Sequence, residues 1–169
     1  MADFDAGSEK YYFFCNRIHV RYGTLAIACF AFVGAFFGVI FKTDFWTQYL
    51  LFLISAAALV GHVRRVHYWY IPILIQHAFQ FICFFLTTVG FLIFYILLQS
   101  KAIQDELADF IKKTDMTLGQ FQFFIFLGFI GFSIWTLIEY WFTKIIYYTY
   151  EYHEKERQFS TPPPYSNIA

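Results

Sequence analysis

The stretch YGTLAIACFAFVGAFFGVIF, residues 22–41, contains 20 residues without a single charge. At a rise of about 1.5 Å per residue, a helix of this length crosses the roughly 30 Å hydrocarbon core of a bilayer. The whole chain has a matching composition, because 59% of its residues are hydrophobic and only 14% are charged. Soluble domains contain about 25% charged residues. The sequence therefore predicts an integral membrane protein.

Three more apolar runs of membrane-spanning length follow this first one. The last two are separated by the only sizeable polar loop, residues 99–119, in which apolar side chains recur at helical spacing. That spacing predicts an amphipathic helix over 101–113, on the membrane surface or over the bundle. The predicted fold is an all-α, four-helix transmembrane bundle (22–152) with spans at about 22–41, 45–63, 70–98 and 121–146, between an N-terminal segment, 1–21, and a proline-rich tail, 153–169.

The distribution of lysine and arginine predicts the sidedness of the chain. If both termini lie on one side, that side carries eight of the twelve lysines and arginines. Cytosolic loops of membrane proteins are enriched in these residues, so both termini are expected in the cytosol and the 101–113 helix on the lumenal side. The eight residues are Lys10, Arg17, Arg21, Arg64, Arg65, Lys144, Lys155 and Arg157.

The tail contains a Pro-Pro-x-Tyr motif, made by Pro162, Pro163, Pro164 and Tyr165. Proline fixes φ near the polyproline II value and lacks a backbone donor, so such a peptide stays extended. Peptides of this kind dock into aromatic-lined grooves, and the tyrosine after the prolines is typical of WW-domain ligands. The motif predicts binding to HECT-type ubiquitin ligases that carry WW domains.

Tyr165 also opens a second motif, Tyr-x-x-Φ, which Ile168 closes. Clathrin adaptor subunits read this sorting signal by adding the peptide as a strand, with pockets for the tyrosine and the bulky apolar residue. Tyr165 cannot occupy both kinds of pocket at once. We therefore expect ubiquitin ligase and clathrin adaptor to compete for the tail.

Four polar residues in the predicted spans can lie at a comparable depth: His62, His77, Gln80 and Glu139. Acidic side chains within a membrane are costly and are usually functional or paired. One interpretation of this cluster is a proton or solute site. The alternatives are a hydrogen-bonded strut between helices or a Glu139 side chain that reaches the membrane interface.

Gly34 and Gly38 form Gly-x-x-x-Gly in the first span, a pattern that favours close approach of two helices. The approach can occur within one chain or between two chains. Glycine is also common in membrane helices without any such role.

Cys15 lies just before the first span, where cysteines are commonly palmitoylated; the alternative is an unmodified thiol. The three cysteines have neither zinc-ligand nor disulfide spacing. Nothing in the chain resembles a hydrolase triad or a phosphate loop, so neither an enzyme nor a metal or cofactor is predicted. The zero net charge and the lack of a long basic block predict no nucleic-acid binding.

Cys15 and the run from His19 to Thr24 (HVRYGT) together resemble the entry to the first helix of the lysosomal-associated transmembrane (LAPTM) proteins. The Pro-Pro-x-Tyr tail and the four spans with cytosolic ends are similar to that family as well. The chain is shorter than typical members and ends in one such motif where they often have two. The resemblance implies residence in late endosomes or lysosomes, recruitment of ubiquitin ligases, and a role in cargo sorting or small-molecule transport.

These features favour an endosomal or lysosomal multi-pass membrane adaptor with ubiquitin ligases, clathrin adaptor subunits, membrane lipids and a membrane cargo or transporter as partners. A second interpretation is a small-solute transporter, or an accessory subunit of one, that uses the intramembrane cluster. A third is a structural tetraspan membrane protein, for which the tail only regulates turnover.

Overall fold

The computed structural model describes residues 8–13, 18–41, 45–114 and 116–160. Helix accounts for 90% of these residues. Two short antiparallel strands precede the first long helix, and 3₁₀ turns lie at Glu9–Tyr11 and His67–Tyr70. The elements are β1 (Tyr12–Phe13), β2 (Ile18–His19), α1 (Val20–Ile40), α2 (Phe45–Arg64), α3 (Ile71–Leu97), α4 (Lys101–Lys113) and α5 (Leu118–Ser160).

Four segments are long and apolar enough to span a membrane: α1, most of α2, α3 with its preceding turn, and α5. Their large apolar side chains point outward, as Phe30 and Trp46 illustrate with exposed fractions of 80% and 79%. Such surfaces are unfavourable in water but are covered by lipid tails in a bilayer. The prediction of an all-α chain with four helices able to cross a membrane is confirmed.

Helix α5 continues well beyond the predicted end of the fourth span at residue 146 and into the predicted tail. Neither glycine nor proline interrupts the chain between Gly131 and Pro162, so nothing stops the helix earlier. The i,i+4 pair of Glu151 and Lys155, 2.8 Å between Oε1 and Nζ, supports its last turns. The tail prolines therefore follow almost directly on a helix.

The chain divides into two compact units. Unit 1 contains the described residues up to His77 and those from Phe142 onward. In it α1 and α2 pack antiparallel, with the rings of Phe32 and Phe52 4.5 Å apart. The last part of α5 packs on α1 through the buried hydroxyls of Thr24 and Thr149, whose Oγ1 atoms are 2.8 Å apart.

Unit 2 contains Ala78–Trp141. Here α3 and α5 run antiparallel and contact each other through aromatic rings and one hydroxyl pair, Thr88 and Thr136, at 3.1 Å. The amphipathic helix α4 occupies the residues of the predicted loop helix and packs its apolar face on this unit, where Ile111 is buried. The Gln104 side-chain amide donates to the Leu98 carbonyl at 2.8 Å and fixes the start of α4.

The two glycines of the Gly-x-x-x-Gly motif differ in their surroundings. A Cβ added at Gly38 would lie 2.5 Å from Cδ of Gln48 on α2, whereas nothing lies within 4 Å of a Cβ added at Gly34. Gly38 therefore leaves room for the end of the Gln48 side chain beside α1, whereas Gly34 meets no neighbour among the described residues.

The variants Gly38→Ala and Gly34→Ala should separate packing from helix propensity. Each substitution stabilises α1 by up to about 1 kcal/mol, because alanine has a higher helix propensity than glycine. Only Gly38→Ala forces the Gln48 side chain aside. We expect Gly38→Ala to be less stable than Gly34→Ala by at most about 1 kcal/mol, the lower end of overpacking costs, because the flexible end of Gln48 can move away. Reversible unfolding of the full chain in mild detergent measures this difference. Equal stabilities would show that the Gln48 contact has no energetic weight.

Candidate functional site

The four residues of the predicted intramembrane cluster belong to different units. His62 and His77 lie in unit 1, whereas Gln80 and Glu139 lie in unit 2. Glu139 is 5% exposed within an otherwise apolar stretch of α5, and the His77 ring packs edge-on against Phe142 at 5.9 Å. The cluster as a whole stays a prediction.

A polar network that the sequence did not predict lies within unit 1 and links the α2–α3 connection to the end of α5. The Tyr70 hydroxyl lies 3.3 Å from Nδ1 of His62, and the Tyr70 ring stacks parallel to that of His153, 5.6 Å between centroids. Nδ1 of His153 lies 3.1 Å from a carboxylate oxygen of Glu156. The His153 side chain has no exposed surface, and its Nε2 has no hydrogen-bond partner among the described residues.

The segment before α1 closes over this end of α5. Tyr11 is buried and meets Tyr152 edge-on at 5.1 Å, while the His19 ring meets the same tyrosine at 4.7 Å. The Lys10 ammonium lies 2.6 Å from the Glu151 carboxylate, but exposed ion pairs contribute only about 0.2–1 kcal/mol. Packing of Tyr11, Val20 and Tyr152 therefore holds the segment in place.

Helical spacing was the signal in the sequence that could have revealed the α5 side of the network. Thr149, Tyr152, His153 and Glu156 are three or four residues apart, so they share one face of α5. The sequence prediction divided these residues between the transmembrane bundle (22–152) and the tail (153–169), and so missed that they form one helix face.

The turn between α2 and α3 is fixed by a hydrogen-bonded helix end. The Val66 amide donates to the Gly61 carbonyl at 3.1 Å, and Arg65 between them adopts a left-handed φ of 53°. This is the Schellman arrangement, in which glycine usually occupies the left-handed position. It ends α2 and directs the chain into the 3₁₀ turn that carries His67 and Tyr68.

A polar cleft of about 230 Å³ lies in unit 1 between this turn and the last turns of α5. His67 is 4% exposed, and its Nδ1 is buried without a hydrogen-bond partner among the described residues. Its ring packs edge-on against Tyr150 at 5.3 Å, which fixes its orientation. The cleft is lined by His67, Tyr68, Glu154, Arg157 and Gln158.

Cationic side chains gather at the same end of unit 1. Lys10 pairs with Glu151, the Arg21 guanidinium lies 5.9 Å from the centre of the Tyr152 ring, and Arg65 lies 3.7 Å from Glu156. Arg64 ends α2 beside Arg65, and α5 adds two more cations in its last turns. We call this set the basic end; it comprises Lys10, Arg21, Arg64, Arg65, Lys155 and Arg157.

Over residues 8–13, 18–41, 45–114 and 116–160, no group of three or more His, Cys, Asp or Glu is placed to hold a metal ion. The predicted tail motifs and the predicted palmitoylation site lie outside the described residues. They comprise Pro162, Pro163, Pro164, Tyr165, Ile168 and Cys15.

His19 gives the stability of unit 1 a predictable pH dependence. Burial lowers the pKa of this imidazole below 6.5, the nearby Arg21 charge lowers the pKa further, and Glu156 partly opposes both. The folded state therefore binds a proton at His19 less readily than the unfolded state does. Its contribution to stability is present above about pH 6.5 and is lost as the pH falls from there towards the folded-state pKa.

The variant His19→Asn should reduce this acid sensitivity. The His19 Nδ1 accepts a hydrogen bond from the Arg21 amide at 3.3 Å and so caps α1; asparagine is also a good N-cap but does not titrate. We expect the loss of unfolding free energy between about pH 7.5 and about pH 5 to be smaller in His19→Asn than in the original chain. An unchanged pH profile would exclude His19 as a contributor.

The two ends of the chain carry the motifs that resemble the LAPTM proteins. A relationship to that family stays a prediction from those motifs. Comparison of the chain with protein-family models, with curated proteins and with solved structures finds no match.

Proposed function

We propose that this chain is an endosomal or lysosomal multi-pass membrane adaptor that recruits WW-domain ubiquitin ligases through its C-terminal Pro-Pro-x-Tyr motif. The observation that carries the proposal is the basic end of unit 1, which gathers cations from the N-terminal segment, α1, α2 and α5. Cytosolic ends of membrane proteins are enriched in lysine and arginine. The proline motif of the tail begins two residues after Ser160, the last residue of α5 at this end, so the motif would be presented to the cytosol.

The packing of α5 supports the same proposal. The residues Thr149 to His153 near its end are held by Tyr11, by the Thr24 hydroxyl and by Tyr70 in the turn before α3. Pro162 follows only two residues after the end of this helix. A ligand motif that starts two residues after a packed helix stays close to the membrane-spanning part of its own chain, which suits a ligase that modifies neighbouring membrane proteins.

The variant Tyr165→Ala should abolish recruitment of WW domains. Removing an aromatic anchor from a binding pocket typically costs at least about 2 kcal/mol, or about 30-fold in affinity. We expect such a loss when the full chain in nanodiscs is titrated with an isolated WW domain. Ile168→Ala is the matched control, because it leaves the WW motif intact and removes only the apolar residue of the sorting motif.

The two variants should also separate the two tail signals in cells. Tyr165→Ala removes both ligase and adaptor recognition, whereas Ile168→Ala should retain ligase binding and change only the steady-state location. Unchanged location in both variants would contradict sorting through the tail. Simultaneous binding of ligase and adaptor to one tail would contradict their competition for Tyr165.

Glu139 supports a second candidate function, a small-solute transporter or a transporter accessory subunit. Its side chain is 5% exposed in the apolar part of a candidate span, and acidic groups at such positions are costly and are usually functional or paired. A titratable carboxylate there can accept and release a proton as a solute moves.

The variant Glu139→Gln tests this second function, because it keeps the size of the side chain and removes its ability to titrate. Under the transport hypothesis, Glu139→Gln should reduce proton-coupled solute flux in proteoliposomes without changing WW binding. Glu106→Gln, on the exposed face of α4, is the matched control. Equal fluxes in the original chain and in both variants would contradict a transport role for Glu139.

A further inference from the structure

The polar cleft of unit 1 lies where aromatic and charged residues replace the apolar stretches of the candidate spans. It is formed where α2 ends, where the 3₁₀ turn before α3 begins, and where the apolar part of α5 has given way to charged residues. Tyr68 and Trp69 beside it are 58% and 43% exposed. Aromatic residues with apolar bodies and polar tips are characteristic of the membrane–water interface. A lipid headgroup can therefore reach the cleft from the surrounding bilayer.

One part of the cleft lining suits a phosphate group. Arg157 supplies a guanidinium, the side-chain type best matched to phosphate oxygens. The His67 ring lines the same part of the cleft, and its Nδ1 is buried behind the lining. The Tyr68 hydroxyl is a second donor.

The other part of the lining suits an ammonium group. Glu154 places a carboxylate in the same cleft, and Gln158 adds a side-chain carbonyl one turn further along α5. Glu154 and Arg157 are three residues apart on a helix, so their Cβ atoms are about 5–6 Å apart. A ligand that presents a phosphate and an ammonium a few bonds apart can satisfy both charges. A ligand with phosphate alone would bring its charge close to the Glu154 carboxylate.

We propose that this cleft binds the phosphoethanolamine headgroup of phosphatidylethanolamine. The phosphate lies against Arg157 and Tyr68, and the primary ammonium donates to Glu154 and Gln158. Phosphatidylcholine has the same phosphate, but its quaternary ammonium has no N–H to donate. Phosphatidic acid lacks the ammonium altogether, and the additional carboxylate of phosphatidylserine is repelled by Glu154. The site is independent of the tail motifs and of the function proposed for them.

Native mass spectrometry of the delipidated full chain in detergent, titrated with single lipids, tests the proposal. Phosphatidylethanolamine should bind at least about tenfold more tightly than phosphatidylcholine or phosphatidic acid, the size expected from one charge-assisted hydrogen bond. Water-soluble glycerophosphoethanolamine at the same concentration should not displace the lipid. A preference for phosphatidic acid would overturn the proposal in favour of a simple phosphate site, and full displacement by the soluble compound would overturn the assignment to a lipid.

Two variants distinguish the two halves of the site. Arg157→Gln should weaken the binding of phosphatidylethanolamine and of phosphatidylcholine to the same extent, whereas Glu154→Gln should remove the preference for phosphatidylethanolamine. Lys112→Gln and Glu106→Gln on α4 make the same charge changes outside the cleft. These two controls should change neither the affinities nor the preference. Thermal unfolding of each variant establishes that the fold is retained, as expected for substitutions at the exposed Arg157 and half-buried Glu154. Retained selectivity in folded Glu154→Gln would overturn the assigned role of the carboxylate.

Discussion

The contact between the two ends of the chain is the interaction on which unit 1 depends. Tyr11, before the first membrane helix, packs against Tyr152 near the end of the last one, and the Thr24 and Thr149 hydroxyls join the same two regions. Each aromatic pair adds about 0.5–1.5 kcal/mol beyond the burial of its area. Because α1 is fixed to α2, and α2 to the turn before α3, this contact aligns every element that forms the histidine network and the cleft.

The backbone conformation of one residue in the α2–α3 turn determines where the His67 side chain lies. A left-handed residue other than glycine is strained by about 1–3 kcal/mol, yet Arg65 occupies this position at the end of α2. The arginine gains a nearby carboxylate in Glu156, and the turn orients His67 towards α5. A glycine there would remove the strain but also one of the cations of the basic end.

Fold class and the main helices could be predicted from residues 22–41 and the three later apolar runs, because bilayer thickness sets the length of a spanning helix. The histidine network could not, since His62, Tyr70 and His153 are brought together by contacts between distant segments. The pairing of β1 with β2 and the continuation of α5 to Ser160 were missed as well. The sequence allows the longer helix, because neither glycine nor proline lies between Gly131 and Pro162.

The same limit explains the outcome at Gly34 and Gly38. The motif predicts close approach of helices, but the two glycines have different surroundings, with the Gln48 side chain beside Gly38 and no described neighbour beside Gly34. The spacing of glycines within α1 cannot show which of them lies beside Gln48, because that depends on how far α2 is shifted along α1.

The end-to-end contact also sets the order of events during synthesis. Tyr11 leaves the ribosome long before Tyr152 does, and 141 residues separate Lys10 from its partner Glu151. At about 5–20 residues per second the N-terminal segment waits on the order of 10 s for its binding surface. During that interval Tyr11 and Val20 are uncovered, so a nascent or C-terminally truncated chain displays an aromatic patch that the finished protein hides. Cellular quality control could use that patch to tell incomplete copies from complete ones.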